Sequence, residues 1–316
     1  MPKFIVTVRS VSGDAFTGGL GAIRYLSVPD GAAPSPAHQV ARTAWIKQVM
    51  QTFVRSASGN ATGNLLFLVH GFNTNFTNAT ALHDAVAAGL AGKLVCTIVS
   101  FDWPSAGETF AYLEDLDTAK RTAVDLVNAA IRPLIAAQND DCRVAVHVAC
   151  HSMGAYVARE AFDHADDGTT TGSDWAVNQL VLIAGDVEAS DFVDGNKDTE
   201  SMLGHCYRLT NYFNKFDEVL QISNVKRIGT EPRAGRVGLP PNAPTKAVNI
   251  DCSAHFETIR RPGGDPEAAL LWSHSWYFED PVFYTDFAAT LLGAVDRTVV
   301  TGRGLAVDGQ TLTLPA

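Results

Sequence analysis

From residue 65 onward the chain alternates short, unbroken apolar runs with longer stretches of helical spacing. Leu65-Leu-Phe-Leu-Val69, Val144-Ala-Val-His-Val-Ala149 and Leu180-Val-Leu-Ile-Ala184 are runs of the first kind, and residues 95–101, 206–210 and 247–250 continue the series. Between and after them, residues 77–91, 108–137, 154–164 and 281–292 place apolar side chains three or four positions apart. A run that is apolar at every position is buried on both faces, whereas a helix covering it needs only one apolar stripe. The pattern predicts an α/β fold with a doubly wound, mostly parallel sheet flanked by helices. Pro133 lacks an N–H and is expected to end or kink the long helix of residues 108–137.

Ahead of this series the pattern changes. Residues 3–9 alternate and are rich in β-branched side chains, as are residues 23–28, which predicts two antiparallel strands joined across a flexible loop at Gly18, Gly19 and Gly21. A phosphate-cradling loop follows a buried strand and opens a helix, and this one does neither. Residues 43–54 then set Trp45, Ile46, Val49, Met50 and Phe53 on one helical face.

With 316 residues, 46% of them hydrophobic and 18% charged, the chain has ample material for a core. No internal repeat or break in composition divides it. The expectation is a single domain over 1–316: N-terminal strands and helix in 1–64, a catalytic core in 65–293, and a C-terminal tail in 294–316 able to form a hairpin. A net charge of −10 disfavours nucleic acid and anionic membrane as partners. Five cysteines without a C-x-x-C pair suggest neither a disulfide framework nor a zinc site, and there is no H-E-x-x-H or acidic calcium loop, so no metal or cofactor is expected. No apolar run approaches membrane-spanning length, so a cytoplasmic enzyme without membrane insertion is expected.

The sharpest local signal is the strand 144–149 running through Cys150-His151-Ser152-Met153-Gly154 into a helix. A strand-to-helix turn this tight projects its serine above the sheet and needs small neighbours, which Gly154 and the compact Cys150 supply. A second strand ends in His70-Gly71-Phe72, where the backbone N–H of Phe72, together with that of Met153, can serve an oxyanion. A serine hydroxyl needs a base and the base needs a carboxylate, in the chain order Ser, acid, His. His274, between the last core strand and the closing helix, is the favoured base, ahead of His255. Asp217, after the strand beginning at Cys206 and placed to cap a helix, is the favoured acid, with Asp186 as its rival. Trp103, Phe110, Tyr112 and Trp276 are candidate walls of a substrate pocket. Arg227, Arg233, Arg236, Arg260 and Arg261 fall in a loop-rich segment able to overhang it and bind an acidic group.

The segments Phe67-Leu-Val-His-Gly-Phe-Asn73, Phe101-Asp-Trp-Pro-Ser-Ala-Gly107, Cys150-His-Ser-Met-Gly154 and His274-Ser-Trp-Tyr277, with the Asp217 segment, resemble a bacterial α/β-hydrolase group of the esterase/lipase superfamily known as a domain of unknown function. The likeness runs from about residue 65 to about residue 292. It implies the α/β-hydrolase fold and a triad of Ser152, Asp217 and His274. Asp102 departs from it, standing where a small residue is more usual. The function expected is hydrolysis of a small-molecule carboxylic ester through an acyl-enzyme on Ser152. Amidase, thioesterase and acyltransferase reactions share that chemistry, and a non-catalytic binding protein shares the fold. The connection over residues 184–205 is acidic and too short for a large cap domain, which points to soluble, short-acyl esters.

Overall fold

The apolar runs form the centre of one mixed sheet. The computed structural model describes residues 1–55, 61–105, 112–138, 143–166, 175–226, 231–261, 265–293 and 300–315. Its strands are β1 (Lys3–Ser12), β2 (Ala15–Val28), β3 (Gln39–Val40), β4 (Val54–Arg55), β5 (Ala61–Val69), β6 (Cys96–Asp102), β7 (Arg143–His151), β8 (Val177–Ile183), β9 (Cys206–Phe213), β10 (Ala247–Asp251), β11 (Gly304–Leu305) and β12 (Leu312–Thr313). Their spatial order is β11-β12-β10-β9-β8-β7-β5-β6-β1-β2-β3, with β4 paired to β5. Every pairing from β12 through β10, β9, β8, β7, β5 and β6 to β1 is parallel. Antiparallel hairpins extend both margins.

Side chains alternate between two cores along each strand. Phe67, Val69, Val148 and Cys150 face one, with Trp45, Val127 and Phe162 packed against them. Leu66, Leu68, Ala149 and Val181 face the other, beneath Val86, Leu90, Phe283 and Phe287. Each large side chain so buried contributes roughly 1.5–3 kcal/mol, and burial on both faces holds each strand against slipping by one residue.

Three features differ from the sequence reading. The glycines at 18, 19 and 21 lie inside β2, and the turn is at Gly13, whose φ is +57°. The β1–β2 pairing shifts register on both sides of Arg9, and a Cβ on Gly21 would stand 2.6 Å from Ser10 Cα, so the glycine admits a bulge instead of a loop. The long helix does not end at Pro133: Tyr112–Asp125 passes through a π-helical turn, Leu126–Ile131, into Arg132–Ala136, with Pro133 in its first turn. Pro133 has no N–H for the carbonyl of Ala129, and that carbonyl instead accepts the Tyr25 hydroxyl at 3.0 Å. The segment between Asp217 and His274, expected to be rich in loops, holds four helices among the described residues, Glu218–Lys226, Ala234–Val237, Ser253–Ile259 and Pro266–Ser275, and His274 sits in the last turn of the fourth.

Residues 184–205 contain a 3-10 turn, Ala189–Phe192, and a helix, Lys197–Gly204. Phe192, Met202 and Leu203 point into the first core, which holds the connection down on the sheet instead of raising it as a cap. The tail adds its hairpin at the β10 edge, where Arg303 pairs with buried Asp286 at 2.7 Å and Tyr212 donates to the same carboxylate at 2.6 Å. Among the described residues no helix is long and apolar enough to cross a membrane.

Candidate active site

After β5 the chain crosses to β6 on one side, and β7 and β8 lie on the other. Such a reversal opens a crevice at the carboxyl ends of the strands. His70, Gly71 and Phe72 leave β5 on one side of it, and Ser152 leaves β7 on the other. Ser152 takes a left-handed φ of +54°, a strained conformation for a residue with a Cβ. Three backbone hydrogen bonds hold it there. Its N–H donates to Ile183 O at 3.1 Å, and its carbonyl accepts from the N–H groups of Ala155 and Asp186, each at 3.0 Å.

The small neighbours are required by contact. A Cβ on Gly154 would lie 2.5 Å from Val69 O, and one on Gly71 would lie 2.7 Å from Ser152 Cβ. Cys150 is wholly buried, and that burial pushes its thiol far up, so it acts as a small neutral filler. The Met153 N–H opens the helix Gly154–Asp166 and has no acceptor among the described residues. Unsatisfied N–H groups at a helix start carry the positive end of its dipole.

The structure brings His274 and Asp217 together. His274 Nδ1 donates to Asp217 Oδ2 at 2.6 Å, which leaves Nε2 of the neutral ring as an acceptor. Asp217 Oδ1 accepts the N–H of Leu220 at 2.9 Å, capping the helix Glu218–Lys226 as its position in the sequence suggested. The Asp217 turn and the His274 helix are tied twice more: Asn214 Nδ2 donates to Ser273 O at 3.3 Å, and the Glu218 N–H to Ser273 Oγ at 3.0 Å. Burial alone would lower the His274 pKa. The charge and hydrogen bond of Asp217 outweigh it, with a further contribution from Asp186, so the ring is held above its ordinary value. The His151 ring stands 4.7 Å from that of His274 and donates from Nε2 to the His274 carbonyl at 3.2 Å. Burial, reinforced by the nearby charge of His274, keeps His151 neutral. The Ser152 hydroxyl and the His274 ring form no hydrogen bond here. Nucleophile–base contacts in resting sites are commonly loose and tighten around substrate.

The rival residues have other partners. Asp186 lies beside the elbow, and its Oδ1 is 3.3 Å from Nε of the fully buried Arg233, which also reaches Glu188 at 3.3 Å. His255 pairs with Asp280 at 3.0 Å, the residue that caps the closing helix Pro281–Leu292. The arginines behave differently from the expectation of an anion-binding overhang. Arg236 donates to the carbonyl of Asp217 at 3.1 Å, Arg260 pairs with Glu218 and Glu257, and Arg261 pairs with Glu279 and covers the Trp272 ring. They brace the helices that carry or follow Asp217 and His274. Arg227 lies outside the described residues.

The two tryptophans assigned to substrate need correction. Trp103 has no exposed surface; its ring stacks on His70 at 5.4 Å and its Nε1 donates to His70 O at 2.9 Å. Trp276 is equally buried, packed on Tyr277 at 4.1 Å and near Phe256 and Phe283. Both are packing residues, because aromatic area is worth more in a core than at a wet rim. Phe110 and the Tyr112 side chain lie outside the described residues. Asp102 is a fully buried carboxylate that accepts from Thr7 at 2.6 Å and Arg9 at 2.9 Å and stands 3.1 Å from His70 Nε2. Burial raises its pKa, but those partners win and keep it ionised. Arg9, Asn214 and Ser273 carried no signal in the sequence, since each acts across a fold contact and none belongs to a local motif. Among the described residues no cluster of three His, Cys, Asp or Glu side chains is disposed to hold a metal ion.

A cutinase-like protein from Cryptococcus sp. is similar over 74% of this chain and 99% of its own, with 17% identity and a TM-score of 0.35. A phospholipase, PlaB from Legionella pneumophila, solved in complex with thio-NAD, is similar over 54% of this chain and 43% of its own, with 16% identity and a TM-score of 0.32. No curated protein matches by sequence. The family model described as alpha/beta hydrolase of unknown function, DUF900, matches residues 45–238, a span that contains Ser152 and Asp217 and ends before His274. With most of its length matched and a mostly parallel sheet whose strand ends carry these residues, the chain belongs to this family of α/β hydrolases.

Proposed function

We propose that this protein is a serine hydrolase that cleaves carboxylic esters through an acyl-enzyme on Ser152. The observation that carries the reading is the buried Asp217–His274 hydrogen bond of 2.6 Å beside a serine held at φ +54°. His274 Nε2 takes the Ser152 proton as Oγ attacks the ester carbonyl. Asp217 holds the ring in the required tautomer and stabilises the imidazolium that forms. The N–H groups of Phe72 and Met153 receive the developing oxyanion, and His274 then returns its proton to the departing alcohol. Water repeats the sequence on the acyl-enzyme.

The substrate we infer is a small, soluble ester with a short acyl group. Residues 184–205 pack down onto the sheet, and Glu188, Asp194, Asp198 and Glu200 on them are polar, so few methylenes of a long chain would find cover. Each methylene contributes only about 0.8 kcal/mol, and only where it is buried. A cytoplasmic setting suits the four described cysteines, all of them free thiols. The acidic net charge fits a small-molecule partner better than nucleic acid. The deciding experiment is a panel of p-nitrophenyl esters of increasing acyl length, run with and without a fluorophosphonate. Covalent labelling at Ser152 with loss of turnover is expected. Labelling elsewhere, or turnover that survives labelling, would refute the reading. Amide and thioester substrates in the same panel separate those reactions from ester cleavage.

A further inference from the structure

Arg9 lies outside the span that matches the family model, on the N-terminal hairpin, yet its side chain ends beneath the loops that border Ser152. It is 1% exposed. Its Nε donates to both oxygens of Asp102, at 2.9 and 3.0 Å, and its Nη2 to the carbonyls of Thr74 at 2.6 Å and Trp103 at 2.8 Å. Thr74 closes the loop that begins at His70, and its N–H donates to Ser105 Oγ at 2.8 Å. Asp102 in turn contacts His70 Nε2, and His70 Nδ1 donates to Gly71 O at 2.9 Å. One guanidinium therefore ties Thr74, at the end of the 70–74 loop, to Asp102 and Trp103 directly, and reaches His70 at its start through Asp102. The hairpin is shaped for this purpose. The register shifts on either side of Arg9 make a double irregularity in β1, and bulges of this kind re-aim side chains beside active sites. Gly21, across from it, has no room for a Cβ because the Arg9 carbonyl and the Ser10 backbone press within 2.7 Å. The glycine-rich stretch finds its use here.

We propose that Arg9 is a positioning residue for the oxyanion turn: anchored by Asp102, it clamps the Thr74 and Trp103 carbonyls and thereby sets the Phe72 N–H against Ser152. The N-terminal hairpin is thus part of the catalytic apparatus although it lies outside the family-matched core. Lysine cannot replace Arg9, because one ammonium lacks the planar fork that serves a carboxylate and two carbonyls at once. The proposal rests on the hydrolase reading of Ser152.

The test compares the parent with Arg9→Lys, Arg9→Ala and the double variant Arg9→Met/Asp102→Leu. The double variant replaces the buried ion pair with apolar groups, an exchange that is often neutral for stability. Thermal unfolding establishes that each is folded. Misplacing one oxyanion donor lowers kcat by on the order of 10²-fold. The expected result is a loss of about that size in kcat for Arg9→Ala and for the double variant, with KM little changed. Arg9→Lys should fail to restore it, while millimolar guanidinium rescues Arg9→Ala and does nothing for the parent. Parental kcat in either folded variant overturns the proposal, as does a loss that follows only the folded fraction and is indifferent to guanidinium. A parent that neither turns over esters nor is labelled at Ser152 overturns the hydrolase reading, and the proposal with it.

Discussion

Gly71→Ala places a single methyl group at the tightest point of the site. Its Cβ would stand 2.7 Å from Ser152 Cβ, 3.1 Å from His151 O and 3.2 Å from Ser152 Oγ. The first contact falls about 0.7 Å short of an ordinary van der Waals separation of 3.4 Å. No flexible side-chain end is available to yield, because the clash is with the Ser152 Cβ and the carbonyl before it. Either the turn after β5 backs away from Ser152, taking the Phe72 N–H with it, or the elbow moves. Overpacking of this kind costs about 1–3 kcal/mol of stability, a loss a 316-residue domain can survive in folded form. A displacement approaching 1 Å between reacting groups costs on the order of 10²-fold in rate. The expected variant is folded, melts a few degrees lower, and has kcat reduced about 100-fold with KM changed far less. Steady-state kinetics on a short-chain ester, paired with a thermal melt, reads both quantities. A stable Gly71→Ala enzyme with parental kcat would show that this turn has no part in the reaction.

Ser152→Ala and His274→Ala should each lower kcat by on the order of 10³-fold or more, and the double variant should be scarcely worse; additive losses would exclude a shared unit. Activity should rise with pH along a limb placed above 6.5, because His274 is held above that ordinary value and must be neutral to accept the Ser152 proton. Asp217→Asn removes the two strongest raising influences and leaves burial dominant, so the limb should move to lower pH while kcat falls on the order of 10⁴-fold; an unmoved limb would place the titrating group elsewhere. Asp186→Asn should shift the limb in the same direction by less and cost far less rate, and the reverse ranking in parallel kcat measurements would reassign the acid. Butyrate esters should be preferred to palmitate esters in kcat/KM without detergent, and a jump in rate above the solubility limit of the ester would contradict the packed-down connection over residues 184–205.

Much of this site is local in sequence, and that part was legible. The elbow is one strand-to-helix turn: Ser152, Met153 and Gly154 are consecutive, and the steric demand on Gly154 comes from the neighbouring strand whatever else the fold does. The order of Asp217 and His274 along the chain, and the helix that Asp217 caps, could likewise be read from spacing. What failed was the environment of large side chains. Trp103 and Trp276 were candidate walls of a substrate pocket. Trp103 follows the end of β6 and Trp276 opens a 3-10 turn, where no alternation along a strand tells which way a ring points, and both rings turned inward.

Periodicity and motif spacing by themselves determined the α/β class, the mostly parallel sheet, and a serine, an aspartate and a histidine in hydrolase order. Each of these follows from which residues are apolar within a window of a few positions, and such windows report on burial directly. Only the tertiary structure decided which carboxylate meets His274, and that Asp186 instead faces Arg233 at a separation of 47 residues. It alone brought Arg9 to Asp102 across 93 residues and converted a glycine-rich stretch into the bulge that aims it. A buried charge carries no periodic signature. Its partner is set by where the sheet places two strands side by side, and β1 meets β6 only because the chain has already wound through β5 and back.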